Sequence, residues 1–197
     1  VARPKKVTDE VLVAAAYDIL MDLGPTSLTF EKLSEKVGLV PAALVRRFTN
    51  KKNLLLEVDR YALARSNARR TASMAEQDSP IEAILAGFIT ELSFASTLEK
   101  FIHGQEFLLM DFAEKDLYQN YKVSFVERHD QVANLLRQAQ ARGELSYDIN
   151  PDEFARLLQM ILHGAGHIWA MSQEGPIEDY INHYVKLALA PYRQDKE

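Results

Sequence analysis

The 197-residue sequence contains no cysteine, one tryptophan and only eight glycines and seven prolines. Without cysteine there can be no disulfide framework, no thiolate zinc site and no cysteine nucleophile. No apolar run approaches the roughly 18 residues that span a bilayer, and the opening VARPKKVTDE lacks the apolar centre of a signal peptide. A cytoplasmic protein without a membrane partner is expected. The phosphate-cradling GxxxxGKS/T pattern, GxGxxG, GxSxG and HExxH are all missing. Serine, histidine and aspartate occur singly, as in most chains of this size, so neither an enzyme nor a cofactor is expected. Strand-period alternation, internal repeats and low-complexity tracts are missing too. The expected class is all-α, with about nine helices.

What is present begins with an uneven charge. The net charge is −5, which argues against a nucleic-acid binder at first sight. Residues 1–70, however, hold 13 Lys/Arg against 8 Asp/Glu, whereas residues 71–197 hold 10 against 20. Such a split suggests that one end meets a polyanion and the other turns it away.

The basic end contains the most informative stretch, TFEKLSEKVGLVPAALVRRFTNKK, from Thr29 to Lys52. Thr29 is a good N-cap, and Phe30, Leu33 and Val37 then share one helical face. Gly38 stands where a helix ends left-handed, and Pro41 suits the first position of the next helix. In that second helix Leu44 and Phe48 point inward, leaving Ala42, Ala43, Arg46 and Arg47 outside. Two short helices, a tight glycine turn and a basic outer face are the pattern of a helix-turn-helix.

Lysines stand where a helix dipole disfavours them. Asn50 caps the next helix, so Lys51 and Lys52 fall in its first turn, and Lys32 is placed similarly after Thr29. Each costs about 0.3–1 kcal/mol there, and a docked phosphate would reverse the sign. Solvated lysines are the bland alternative for any one of them. Three flanking a helix with Arg46 and Arg47 favour DNA. Arg3, Lys5 and Lys6 add a short basic arm before a first helix capped by Thr8, whose buried stripe is Leu12, Ala15, Ala16, Ile19 and Leu23 and which Gly24-Pro25 ends.

Farther on, the helix begun at Asn50 extends to about Ala75, and Ser79 to Glu82 is a capping box for the next. The segment from Thr97 to Phe112, interrupted by Gly104, reads as short helices with a bend. Long helices then span about Glu114 to Ala141 and, capped by Asn150, Pro151 to Ser172; a last one runs from Ile177 to about Tyr192. Gly164, Ala165 and Gly166 amid Leu157, Met160, Ile161, Ile168 and Trp169 suggest a close helix–helix face. His163 and His167 at i,i+4, and His103 and Glu106 at i,i+3, have spacings compatible with a metal. With no further fixed carboxylate, packing or hydrogen bonding is the preferred reading, and no metal site is expected.

Residues 8–58 resemble the DNA-binding domain of the TetR (tetracycline-repressor-like) family of transcriptional regulators. The resemblance is carried by Thr8…Ala15…Leu23-Gly24, Leu28-Thr29-Phe30…Leu33…Val37-Gly38, Leu44…Phe48, Asn50-Lys51 and Leu54-Leu55. The family commonly has a small polar residue where Val40 stands, glycine near Ala42 and an aromatic at Val45. The resemblance implies a helix-turn-helix domain over 1–53 and a helical ligand-binding and dimerisation domain over 54–197. It places a ligand cavity among the middle helices, for which Phe101, His103, Glu106, Phe107, Met110, Tyr121 and Phe125 are the candidates. It also implies a four-helix dimer interface from the last two helices, with Leu157, Met160, Ile161, Gly164, Ile168, Tyr180, Tyr184 and Leu187 as candidates.

The expected function is a ligand-responsive regulator, a repressor, binding a near-palindromic operator in double-stranded DNA as a homodimer. Thr29, Lys51 and Lys52 would hold phosphates; Val40, Pro41, Ala42, Ala43 and Arg46 or Arg47 would meet bases. The alternatives are a helical ligand-binding or interaction protein that has lost DNA binding, and a helical enzyme built on the histidines.

Overall fold

In a computed structural model, residues 7–194 are described; the basic arm of Arg3, Lys5 and Lys6 lies outside them. Nine α-helices follow one another among the described residues: α1 Asp9–Leu23, α2 Phe30–Val37, α3 Pro41–Phe48, α4 Lys51–Ala75, α5 Pro80–Leu92, α6 Leu98–Ala113, α7 Lys115–Ala141, α8 Pro151–Ser172 and α9 Ile177–Leu189. The only β pairing among them is an isolated bridge between Leu145 and Arg193. The fold is all-α.

Helix starts follow local chemistry. Thr29 Oγ1 accepts from Lys32 N–H at 3.1 Å, Asn50 Oδ1 from Asn53 N–H at 2.9 Å, and Asn150 Oδ1 from Asp152 N–H at 3.0 Å. Each satisfies an amide that the first turn leaves without a helical partner. Ser79 Oγ accepts from Ile81 N–H and donates to Glu144 Oε2, taking the place of the expected reciprocal pair with Glu82.

Two compact units are formed. The first comprises the chain up to Arg65 together with Ile102–Tyr121. Its core is aliphatic: Leu12, Leu20, Leu28, Leu33, Leu44 and Leu54 are fully buried. Shortening any one of them to alanine removes contacts and leaves a cavity, at about 2–5 kcal/mol. The expected stripe of α1 needs one correction. Leu23 is exposed and Leu20 is buried, because Leu20 falls in phase with Leu12 and Ala16 while α1 stops at Leu23.

The second unit comprises Ser66–Phe101 and Lys122–Glu197. Here α5 contributes Ile81, Ile84, Leu85 and Phe88 to a core shared with Val132 and Leu136 of α7, Leu158 and Leu162 of α8, and Ile181, Val185 and Leu189 of α9. Gly166 of α8 faces the Phe101 ring, where an added Cβ would stand 2.8 Å from Cε2. The glycine is required by that close approach.

A second correction concerns Thr97 to Phe112. No bend occurs at Gly104; one helix, α6, runs through it. A glycine in a helix interior costs about 1 kcal/mol, less than breaking the backbone ladder inside a packed helix. The break falls instead at Glu114, between α6 and α7.

Candidate nucleic-acid interface

The helix-turn-helix is built as its residues require. α2 ends at Gly38, whose φ of 69° and ψ of 30° are left-handed, and its N–H donates to the Ser34 carbonyl. Pro41 then opens α3 behind Val40, which supplies no side-chain cap. Leu44 and Phe48 are buried against the unit, so the opposite face of α3 is presented outward: Val40, Pro41, Ala42, Val45 and Arg46 are exposed, and Ala43 is half-buried.

The junction from α3 into α4 is a strained turn. Thr49 has φ 68° and ψ −52°, and Asn50 N–H donates to the Phe48 carbonyl at 2.7 Å across it. This is the γ-turn hand that non-glycine residues rarely adopt. It persists because Phe48 is buried before it and Asn50 caps α4 after it.

The structure separates the two arginines. Arg47 Nη1 donates to the Val7 carbonyl at 2.7 Å and to Asp9 Oδ1 at 3.1 Å, tying the end of α3 to the start of α1. Arg46 is exposed and has no side-chain partner among the described residues. The lysines of α4 are also engaged. Lys51 Nζ donates to the Pro25 carbonyl at 3.3 Å, and Lys52 Nζ lies 3.3 Å from both Glu114 Oε2 and Asp116 Oδ2. That hydrogen-bonded acid pair raises the Lys52 pKa. Thr29 spends its hydroxyl oxygen as the α2 cap.

The candidate ligand residues divide between the units. His103, Glu106, Phe107, Met110 and Tyr121 belong to the first, and Phe101 and Phe125 to the second. His103 Nδ1 is 3.0 Å from the Met21 carbonyl, and its ring and the Glu106 carboxylate crowd Gly24. They brace the C-terminus of α1. Phe107 is buried, Met110 half-buried, and Tyr121 packs edge-on to Phe112. Phe101 is buried edge-on to His167 and Trp169, while Phe125 is exposed.

Candidates for self-association share a surface. Met160, Leu157 and Ile168 of α8 and Tyr184 and Leu187 of α9 are exposed apolar residues, and Gly164 opens to free space. Ile161, Gly164, Ile168, Tyr184 and Leu187 line one apolar groove. Tyr180 is half-buried, its hydroxyl 2.5 Å from Ser172 Oγ. His167 Nδ1 is 2.8 Å from the His163 carbonyl, and burial, then the charge of Arg128, lowers the His163 pKa.

Two buried polar groupings escaped the sequence reading. In the first unit Asp59 of α4 accepts from Asn120 Nδ2 at 2.7 Å, and burial raises its pKa. Asp111 of α6 is 4% exposed with Oδ1 unpaired; burial, then the charge of Asp59, pushes its pKa up to about 8. In the second unit Arg70, Glu91 and Arg128 form a buried ion cluster. The available signal was phase: Asp59 follows Leu55 by four, and Arg128 precedes Val132 and Leu136 by four and eight.

No protein-family model matches the chain, and no curated protein matches it. Solved structures do. A TetR transcription regulator from Haloarcula marismortui superposes with a TM-score of 0.80 at 15% identity, covering 94% of this chain and 97% of that one. A candidate transcriptional regulator from Saccharomonospora viridis, in complex with choline, gives 0.80 at 16% identity over 93% and 96%. A TetR-family regulator from Cytophaga hutchinsonii gives 0.79 at 13% over 98% and 100%. Nearly the whole chain is matched in each case, so the likeness covers both the helix-turn-helix and the helices that follow it. The chain has the fold of the TetR-family transcriptional regulators.

Proposed function

We propose that the protein is a ligand-responsive transcriptional regulator, a repressor, that binds a near-palindromic DNA operator as a homodimer. The observation that carries this reading is the outward face of α3. Pro41, Ala42 and Val45 give it a low apolar relief, Arg46 is exposed on it without a partner among the described residues, and Leu44 and Phe48 hold the helix down. A short helix of this kind, laid in the major groove with its outward face against the bases, brings arginine to guanine O6/N7 and small apolar groups to thymine methyls. Ala43 and Val40 belong to the same contact. Phosphates are met by the N-terminus of α2 at Thr29 and by Lys51 and Lys52 at the start of α4.

A single recognition helix reads too few bases to define an operator, and a two-fold dimer doubles the site. The exposed apolar residues of α8 and α9 support self-association, since a surface of that kind is costly in water. The helix-turn-helix domain is taken as residues 1–53, and ligand binding and dimerisation as the work of 54–197. The choline complex of the Saccharomonospora protein supports a small-molecule effector here as well. An effector shifts the regulator between states only by its difference in affinity for them.

The test is selection of the purified protein against random duplexes at moderate salt, with sequencing of the bound pool. An enriched near-palindrome is the expected result. A pool without symmetry, lost on adding salt, reports backbone attraction alone and overturns the regulator reading.

A further inference from the structure

The second unit buries more positive than negative charge. Arg70 of α4 is 1% exposed and all its nitrogens are used: Nε donates to Gln131 Oε1 at 3.1 Å, Nη1 to Glu91 Oε2 at 3.3 Å and Nη2 to Asn67 Oδ1 at 2.8 Å. Arg128 of α7 is 4% exposed, and only its Nη2 is used, at 2.8 Å from Glu91 Oε1. Its Nε and Nη1 are buried without a partner. One carboxylate therefore serves two guanidinium groups. Glu127 also attracts Arg70, but it is exposed and its charge is screened by water.

A second orphan lies on α8. Gln159 is 2% exposed, and neither its Oε1 nor its Nε2 has a partner. His163, one helical turn farther along α8, is within the field of both Arg128 and Glu91. Its lowered pKa leaves it neutral, so it neither balances nor adds to the excess cation.

Evolved cores seldom leave such groups unmatched. An unpaired buried amide costs about 1–3 kcal/mol, and an incompletely paired buried cation costs more. What the site lacks is defined by what it offers. Arg128 offers donors and a net positive charge, and Gln159 offers an amide NH2 with two donors and a carbonyl acceptor. Water could accept from Arg128, but it would not neutralise the charge. A metal cation is repelled. A monoanion with planar oxygen acceptors takes the free donors of Arg128 and neutralises its charge. The residues around these groups on the same helices, Phe88, Leu92, Val132, Leu158 and Leu162, are buried and apolar, which favours an apolar body on whatever carries the anion.

We propose that Arg128 anchors a small-molecule effector that carries one carboxylate on an apolar body. The proposal rests on the ligand-responsive reading above and names the chemistry of its ligand. Arg70 and Glu91 are positioning residues: Arg70 shares Glu91, and Glu91 fixes one edge of the Arg128 guanidinium so that the other nitrogens face the ligand.

The experiment is thermal unfolding of the full chain with octanoate, benzoate and 4-phenylbutyrate, each beside its primary amide, at constant ionic strength set with chloride. A ligand that binds only the folded state raises Tm with its concentration. At least one acid is expected to give a saturable rise that its amide does not give. Arg128→Gln is expected to weaken that acid by about ten- to a hundredfold, the loss of one charge-assisted contact, while the exposed control Arg60→Gln leaves it unchanged. The proposal is overturned if no acid exceeds chloride, if acid and amide act alike, or if folded Arg128→Gln binds as the parent does. Should Arg128→Gln fail to fold, the acid-versus-amide comparison on the parent protein decides. Duplex selection on the same preparation separates the two readings. Acid binding without duplex binding sinks the regulator and leaves the anion site standing; duplex binding without acid binding does the reverse.

Discussion

Lys52 Nζ lies 3.3 Å from Glu114 Oε2, and Asp116 Oδ2 is equally close. The lysine assigned to phosphate at the start of α4 is thus already held by two acids at the junction of α6 and α7. On the proposed reading, a DNA phosphate would have to compete with the acid pair for one ammonium. All three side chains are about half exposed, so the pairing adds little to stability.

Removing the competition should strengthen DNA binding. The double variant Glu114→Gln, Asp116→Asn is expected to bind its duplex about two- to fivefold more tightly at low salt, with the gain fading as salt screens the charges. Fluorescence anisotropy across a salt series measures it. Weaker binding by the variant would remove Lys52 from the phosphate contacts.

The two neighbouring arginines should respond differently. Arg46→Ala is expected to cost about 1–3 kcal/mol at one base position and to relax specificity there. Arg47→Ala should instead lower the stability of the folded protein by about 0.5–1 kcal/mol, because it unties α3 from Val7 and Asp9. Its effect on binding should be the same for every sequence. Parallel duplex selections and thermal melts on both variants distinguish these outcomes.

Asp111 makes stability depend on pH. Its folded-state pKa of about 8 lies above the ordinary carboxylate value of 3.8, so the folded chain holds a proton that the unfolded chain gives up. The resulting stability is fully present below about pH 4, declines as pH rises, and is lost once pH passes about 8. Every tenfold difference in proton affinity is worth about 1.4 kcal/mol. Asp111→Asn should therefore stabilise the protein by on the order of 2–4 kcal/mol at pH 7 and flatten the profile between pH 4 and 8. Chemical denaturation at several pH values reads this directly, and an unchanged slope would mean that Asp111 is ionised in the fold.

Two glycines of α8 should part company. Gly166→Ala places a methyl carbon 2.8 Å from the Phe101 ring and is expected to cost about 1–3 kcal/mol. Gly164 has nothing within 4 Å of its missing Cβ, so Gly164→Ala should be tolerated or mildly stabilising in a monomer. Leu187→Glu, on the same exposed groove, should turn a dimer into a folded monomer. Sedimentation equilibrium and melting curves test the three together.

Much of this molecule was legible one residue at a time. Thr29, Asn50 and Asn150 cap helices because a short polar side chain reaches its own backbone, and Gly38 turns because it lacks a Cβ. These are local rules with nothing distant to override them. The phase of Leu44 and Phe48 likewise left Arg46 outward without any knowledge of the neighbours. Failures came where distant partners decide. Gly104 breaks no helix, since packing of α6 outweighs a cost of about 1 kcal/mol. Leu23 failed for a local reason instead: apolar and in helical register, it remains exposed because α1 ends there.

The sequence by itself determined most of the helices, the caps at Thr29, Asn50 and Asn150 and the outward face of α3, because period and capping are properties of neighbouring residues. It also placed the excess of positive charge in the first 70 residues. Only the tertiary structure decided which charges are spent. Arg47 is tied to Asp9, Lys52 to Glu114, and Arg70 and Arg128 share Glu91. Those pairs join residues from 21 to 62 positions apart, and no local rule reaches across such a separation. The unpaired nitrogens of Arg128 emerge only when both its neighbours and its burial are known, because a bare arginine in a sequence is a solvated charge until the fold removes the water.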